Sequence, residues 1–236
     1  MTIRESAPAT VLAIYAHPDD PEVSCGGTLT RWSAEGATVH VAIATRGEKG
    51  SSDPAADPEE LAQRRAVETA ASLEVIGAVG HDALGLPDGE VENDSALRRW
   101  LVRLIRRIRP ELVITPDPTA IFFGDGWVNH RDHRQLGWAV LDAVAPAAAS
   151  PLYFPEEGPP HQVGEVFLSG TLEPDVWVDV GSWLDQKVAA LRCHRSQLGG
   201  SDDEWLEDFV RQRASDAGRQ GGVAHAEAFR RLRLSR

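Results

Sequence analysis

Apolar residues in this chain fall into short unbroken runs separated by longer stretches of helical periodicity. "TVLAIYA" (10–16) is a continuous apolar run containing β-branched residues, as expected of a strand buried on both faces. "TVHVAIAT" (38–45) and "ELVITP" (111–116) repeat the pattern, and a shorter run around "EVIGAV" (74–79) predicts a strand between them. The intervening segments read as helices: 22–36, a loop entering a helix that stops at Gly36; 59–73; the amphipathic 95–110, closed by Pro110; and 131–145. Strands alternating with such helices make right-handed βαβ units around a mostly parallel sheet. After Pro146 the pattern changes. "GEVFLSG" and "DVWVDVG" predict a strand pair extending the sheet, 182–198 a further helix, and the tail from about residue 202 two shorter helices. No internal repeat and no linker divides the chain, so residues 1–236 read as one three-layer α/β/α, Rossmann-like domain.

In sheets of this class ligands bind outside the carboxyl ends of the strands. Three polar loops fall there: "HPDD" after the first strand, "RGEKG" after the second, and the segment running from "PDP" to "NHRDH" after the fourth. Their convergence on one rim depends on a strand order that the sequence does not state.

Composition narrows the partners. A net charge of −12 opposes binding to a phosphate backbone, which needs a concentrated basic face. The apolar run before His17 is about seven residues, too short for a secretory core or a membrane span. The two cysteines, Cys25 and Cys193, lie far apart and outside any paired metal spacing, which predicts reduced thiols and a cytoplasmic setting. Cys25, beside two glycines, reads as a small packing residue.

The chemistry concentrates in two of the rim loops. His17 and Asp20 are three residues apart, and Pro18 stiffens the bend between them. Asp19 and Asp20 also suit plain capping of a helix N-terminus. In "NHRDH", His130 and His133 share one helix face with Asp132 between them. His17, Asp20 and His133 make a His₂Asp set; three N/O ligands with a fourth position open is the pattern of a catalytic zinc site, although iron, cobalt or manganese also suit it. A metal ion lowers the pKa of its water toward about 7. Asp19 suits the general base, His130 the donor to a developing oxyanion, and Asp132 the carboxylate that fixes a histidine tautomer. A dinucleotide site is the rival on such a sheet, but the first turn is HPDD rather than G-x-G-x-x-G.

"AHPDDPEVSCGGTL", "ATRGEKG", "RRAVETAASLEVIG", "LGLPDG", "NHRDHRQLG" and "VDVGSWLDQKVAALRCHRSQ" resemble the LmbE-like/PIG-L family of zinc-dependent N-acetylglucosaminyl deacetylases, with a weaker match at "AEAFRRL" (226–232). The resemblance implies a Zn²⁺ cofactor held by His17, Asp20 and His133, with Asp19 as general base and His130 steadying the tetrahedral intermediate. It places Arg65 of an R-x-x-E pattern at a substrate-contacting position, against a helix-surface arginine paired with Glu68. Arg46, Glu48 and Asp88 are rim candidates for sugar hydroxyls, His194 for the edge of the site, and Trp127 for sugar stacking or a lid anchor. Many members have glutamate directly after HPDD; here Pro21 intervenes before Glu22, a variant found among bacillithiol-type deacetylases. The implied substrate is a small amino sugar or its conjugate, with a larger thiol-sugar conjugate or an antibiotic precursor as the alternative. The chain lacks the membrane anchor of eukaryotic members, which argues against a phosphatidylinositol-linked substrate. The resemblance also admits a homo-oligomer, trimeric or hexameric.

Overall fold

The computed structural model describes residues 2–198 and 204–234. Within them the order is β1 (Thr2–Ile3), β2 (Thr10–Tyr15), α1 (Asp20–Ala34), β3 (Thr38–Thr45), α2 (Pro58–Ile76), β4 (Gly80–Leu86), α3 (Ser95–Ile108) and β5 (Leu112–Pro116). It continues with the hairpin β6 (Phe122–Phe123) and β7 (Trp127–Val128), then α4 (Arg131–Asp142), β8 (Glu165–Ser169), β9 (Val176–Asp179), α5 (Leu184–Leu191), α6 (Glu204–Gly221) and β10 (Ala226–Arg233).

Eight strands form one sheet in the order β1-β9-β10-β8-β5-β2-β3-β4. All neighbours are parallel except β10, which runs antiparallel to both β8 and β9. The unbroken apolar runs have the expected cause: successive side chains of β2 enter opposite layers. Val11, Ala13 and Tyr15 pack under α1, α2, α5 and α6, while Leu12, Ile14 and Ala16 pack under α3 and α4. Helices on both faces make the three-layer α/β/α domain. Winding proceeds from β2 to β3 and β4, then jumps across β2 to β5. The switch point therefore lies between β2 and β5, where such sheets open a ligand crevice.

Several elements depart from the sequence expectations. The run at 74–79 is mostly the end of α2, which Asp57 caps and Gly77 terminates in a left-handed conformation; the strand follows at Gly80–Leu86 as an edge strand. Helix α1 starts at Asp20, not after a loop, and bends at Cys25 (φ −145°, ψ 21°). The segment 116–130 contains the small β6–β7 hairpin. The tail is one helix and a strand rather than two helices, and residue 202, where it was expected to begin, lies outside the described residues. Consequently "GEVFLSG" and "DVWVDVG" both join the sheet but never pair: β10 slots between them. A backbone gap two hydrogen-bond ladders wide, filled from the far end of the chain, leaves no local trace in either strand's sequence.

Beneath α1 sits a buried polar brace. The bend at Cys25 frees backbone amides, and the Glu227 carboxylate of β10 accepts from Gly27 N (3.0 Å) and Thr28 N (2.8 Å). Lys187 of α5 donates to the same carboxylate at 2.6 Å and to Val23 O at 3.0 Å. A Cβ on Gly27 would come within 2.9 Å of Val180 Cβ, so the close approach of α1 to the strand end requires glycine there. This brace fixes the helix that carries HPDD.

Candidate metal centre

His17 is the second residue past β2, and its carbonyl accepts from Asp20 N at 3.2 Å, a tight turn straight into α1. Asp20 Oδ2 returns to His17 N at 2.8 Å. Asp19 occupies the N-cap position, but its side chain makes no capping hydrogen bond. The carboxylates of HPDD are thus held for other work than capping.

Three atoms converge. His17 Nδ1 lies 3.2 Å from Asp20 Oδ2 and 3.1 Å from His133 Nε2, and His133 Nε2 lies 3.1 Å from Asp20 Oδ2. Ligands about 2.0–2.1 Å from a tetrahedral ion are separated by roughly 3.3 Å, so this near-equilateral triangle fits one face of such a tetrahedron. The outward nitrogens fit as well. His133 Nδ1 faces Asn129 Oδ1 at 3.1 Å; His17 Nε2 faces Asp88 Oδ1 at 3.1 Å and Asp132 Oδ2 at 3.4 Å. An oxygen acceptor behind each imidazole turns its bare nitrogen toward the triangle, the arrangement that metal-binding histidines use.

The electrostatics match. Burial alone depresses the His17 imidazole, but the Asp20 charge and hydrogen bonds to Asp132, Asp20 and Asp88 overcome it and push it up to about 12. His133 is raised in the same way, burial being outweighed by Asp20. Asp20 goes the other way: burial is overcome by the two imidazoles, which hold it well below the usual carboxylate range. A buried pocket with this preference for protons is built for positive charge.

The remaining groups ring the triangle. His130 caps α4, its Nδ1 accepting from Asp132 N at 3.2 Å, which leaves the proton on Nε2. Burial, followed by the neighbouring His17, lowers its pKa, so this ring favours the neutral form. It stands edge-on to His17 with ring centres 4.7 Å apart. Asp132 is fully buried and accepts from Gly89 N (2.7 Å) and Val91 N (3.2 Å), clamping the "LPDG" loop over the centre. His17, His130 and Asp132 form a second group close enough to share a cation.

The other sequence candidates separate. Arg65 is buried, neither a surface arginine nor a partner of Glu68: it donates to Asp19 Oδ1 at 2.7 Å and to Gly47 O at 2.9 Å. Gly47 sits at φ +65°, where a Cβ would also strike that guanidinium. Glu68 instead accepts from Ser196 N and Oγ. Asp88 lies behind His17, and Glu48 Oε1 accepts from Asp88 N at 3.0 Å. Arg46 pairs with Glu59 at the surface. His194 is buried with Nε2 3.4 Å from Glu22 Oε2, while Glu22 Oε1 accepts from Ser72 Oγ at 2.7 Å. Trp127 stands 67% exposed on the β6–β7 hairpin, three residues ahead of His130. Sequence reasoning missed Asn129, Lys187 and Glu227. Asn129 carried a signal, four residues before His133 beside a helix start; the other two carried none, because their partners are set by tertiary folding.

A doubly wound α/β domain with a donor triangle at its switch point is the class that fold and site define. The profile of the PIG-L family, described as GlcNAc-PI de-N-acetylase, matches residues 12–144. The chain is 32% identical to the diacetylchitobiose deacetylase of Thermococcus kodakarensis, over 93% of this chain and 82% of that protein. It is 31% identical to a 1D-myo-inositol 2-acetamido-2-deoxy-alpha-D-glucopyranoside deacetylase of Saccharopolyspora erythraea, over 84% and 87% of the two chains. The structure of N,N'-diacetylchitobiose deacetylase from Pyrococcus horikoshii, complexed with an inhibitor, superposes with a TM-score of 0.86 at 30% identity, covering 96% of this chain and 84% of the other. The protein belongs to the LmbE-like/PIG-L family.

Proposed function

We propose that this protein is a zinc-dependent deacetylase that hydrolyses the N-acetyl group of an N-acetylglucosamine-type amino sugar or its conjugate. The observation that carries the reading is the triangle of His17 Nδ1, Asp20 Oδ2 and His133 Nε2, with the His130 ring edge-on to His17. Relatives that deacetylate diacetylchitobiose and an inositol-linked acetamido sugar support it. Zinc suits two imidazoles and one carboxylate, and other divalent transition metals compete for such a set.

A divalent ion bound by the three donors supplies Lewis acidity toward the amide carbonyl and acidifies water. Asp19 is the base: Arg65 occupies its Oδ1 and fixes the carboxylate, leaving Oδ2 to take the proton of the attacking water. As the tetrahedral carbon forms, neutral His130 donates its Nε2 proton in a hydrogen bond to the oxyanion. The C–N bond then breaks, protonated Asp19 returns its proton to the departing amine, and acetate and the free amino sugar leave. Among the described residues no helix is long and apolar enough to cross a membrane, and Cys25 and Cys193 are both free thiols, which supports a cytoplasmic setting.

The test is acetate release from N-acetylglucosamine, N,N'-diacetylchitobiose and an N-acetylglucosaminyl-inositol by zinc-loaded protein. Asp19→Asn is expected to retain zinc and lose at least about 100-fold in kcat, the share usually carried by a positioned base. Activity that survives both chelation and Asp19→Asn defeats the reading.

A further inference from the structure

The hairpin of β6 and β7 stands apart from the main sheet, with Phe122 opposite Val128 and Phe123 opposite Trp127. A hairpin of two short strands is marginal in water, because it buries too little to hold itself together. This one turns its apolar side chains outward: Ile121, Phe122, Trp127 and Val128 range from 38% to 67% exposed. Its tip passes through Gly124 at φ +58°, where a side chain would be strained. Its order has to come from its base.

The base is held by one buried residue. Asn129 donates its backbone N–H to Ile121 O (2.8 Å) and its Nδ2 to Ala120 O (2.8 Å), both on the chain entering β6. A carbonyl only accepts, so the second bond fixes which way the amide lies and leaves Oδ1 for His133 Nδ1, 3.1 Å away. The other nitrogen of that ring, Nε2, is a corner of the donor triangle. One side chain thus joins the hairpin to the metal centre. Beyond Val128 the chain runs through Asn129 straight into His130, the proposed oxyanion donor.

We propose that the β6–β7 hairpin is a metal-ordered lip: an ion in the donor triangle fixes the His133 ring, His133 fixes Asn129, and Asn129 closes the hairpin. The metal-free protein keeps its three donors but holds the lip loosely, so Phe122 and Trp127 offer the sugar a formed wall only once the metal is in place. This rests on the metal-centre reading. The coupling is reciprocal, since a free energy shared by two sites changes each by the same factor. One hydrogen bond whose partner is immobilised shifts a local opening equilibrium by roughly two- to tenfold.

Hydrogen exchange of the hairpin amides, in zinc-loaded and in metal-stripped protein, reads that equilibrium. Zinc is expected to slow exchange at Asn129 and across β6–β7 by at least about threefold. Asn129→Asp keeps the oxygen facing His133, and with it the zinc, but loses the donor to Ala120; here zinc should change hairpin exchange by less than about 1.5-fold. Because this variant still binds zinc, it carries any general stabilisation by the metal and isolates the route through Asn129. The reciprocal arm combines Phe122→Gly with Trp127→Gly, which loosens the hairpin and leaves Asn129 and the three donors in place. Zinc affinity, from competition with a chromophoric chelator, should then fall by at least about threefold. Zinc bound to the parent with hairpin exchange unchanged overturns the proposal, and so does an Asn129→Asp variant that responds as fully as the parent. Unaltered zinc affinity in a glycine double variant whose exchange shows an open hairpin overturns it too. Protein that takes up no zinc by elemental analysis fails the metal-centre reading itself, and the metal-ordered lip falls with it.

Discussion

Asn129 offers the sharpest test of the metal centre, because among the described residues it is the acceptor that backs His133 Nδ1. Its Oδ1 lies 3.1 Å from His133 Nδ1, and its Nδ2 donates to Ala120 O at 2.8 Å. Asn129→Leu removes both bonds, so the ring is free to rotate or to carry its proton on the nitrogen that must face the ion. Loss of such an outer partner typically costs 10–100-fold in metal affinity, about 1.4–2.7 kcal/mol. Asn129→Asp keeps the oxygen behind His133 but also loses the donor to Ala120. Both variants should therefore share a stability loss of about 1–3 kcal/mol, while only the leucine variant loses metal. His17 supplies an internal comparison: its Nε2 has two acceptors, Asp88 and Asp132, so Asp88→Ala should cost less than about tenfold. Competition against a chromophoric zinc chelator gives the affinities, and thermal unfolding of the metal-free proteins gives the stabilities. If Asn129→Leu binds zinc within about threefold of the parent, or Asn129→Asp is equally impaired, the outer acceptor does not orient His133.

Arg65→Met should lower kcat by more than about tenfold with KM nearly unchanged, as expected of a residue that holds Asp19 rather than the sugar; a dominant rise in KM would return Arg65 to a substrate-contacting role. Glu227→Ala strands the buried Lys187 ammonium and two α1 amides, a loss of about 3–5 kcal/mol or roughly 6–20 °C in Tm. Adding Lys187→Met should restore part of that loss, and calorimetry showing no recovery would mean that the stranded charge is not the cause. Metal affinity should depend on pH in a set direction. The His17 and His133 pKa values are both raised, so protons compete with the ion at pH values where free imidazoles, near 6.5, have already lost theirs. Apparent zinc affinity is therefore expected to keep climbing above pH 7, and a plateau from pH 6.5 upward in chelator competition would contradict the electrostatic account of the centre.

The sequence by itself settled what depends on neighbours along the chain. Unbroken apolar runs at 10–16, 38–45 and 111–116 are strands because side chains of alternating direction must all be buried, and that requires helices on both faces. His17 with Asp20, and His130 with His133, were legible because a turn or a helix start fixes the geometry of residues three apart. What needed the fold was every relation between distant segments. The jump from β4 across β2 to β5 brings HPDD and NHRDH to one switch point, and nothing local encodes which side of the sheet a crossover takes. Arg65 finding Asp19, Asp88 backing His17, and Glu227 reaching the bend of α1 follow from that same winding. The tail strand β10 was unreadable for the opposite reason: its residues carry a weak strand pattern, and only the ladder left open between β8 and β9 makes them one.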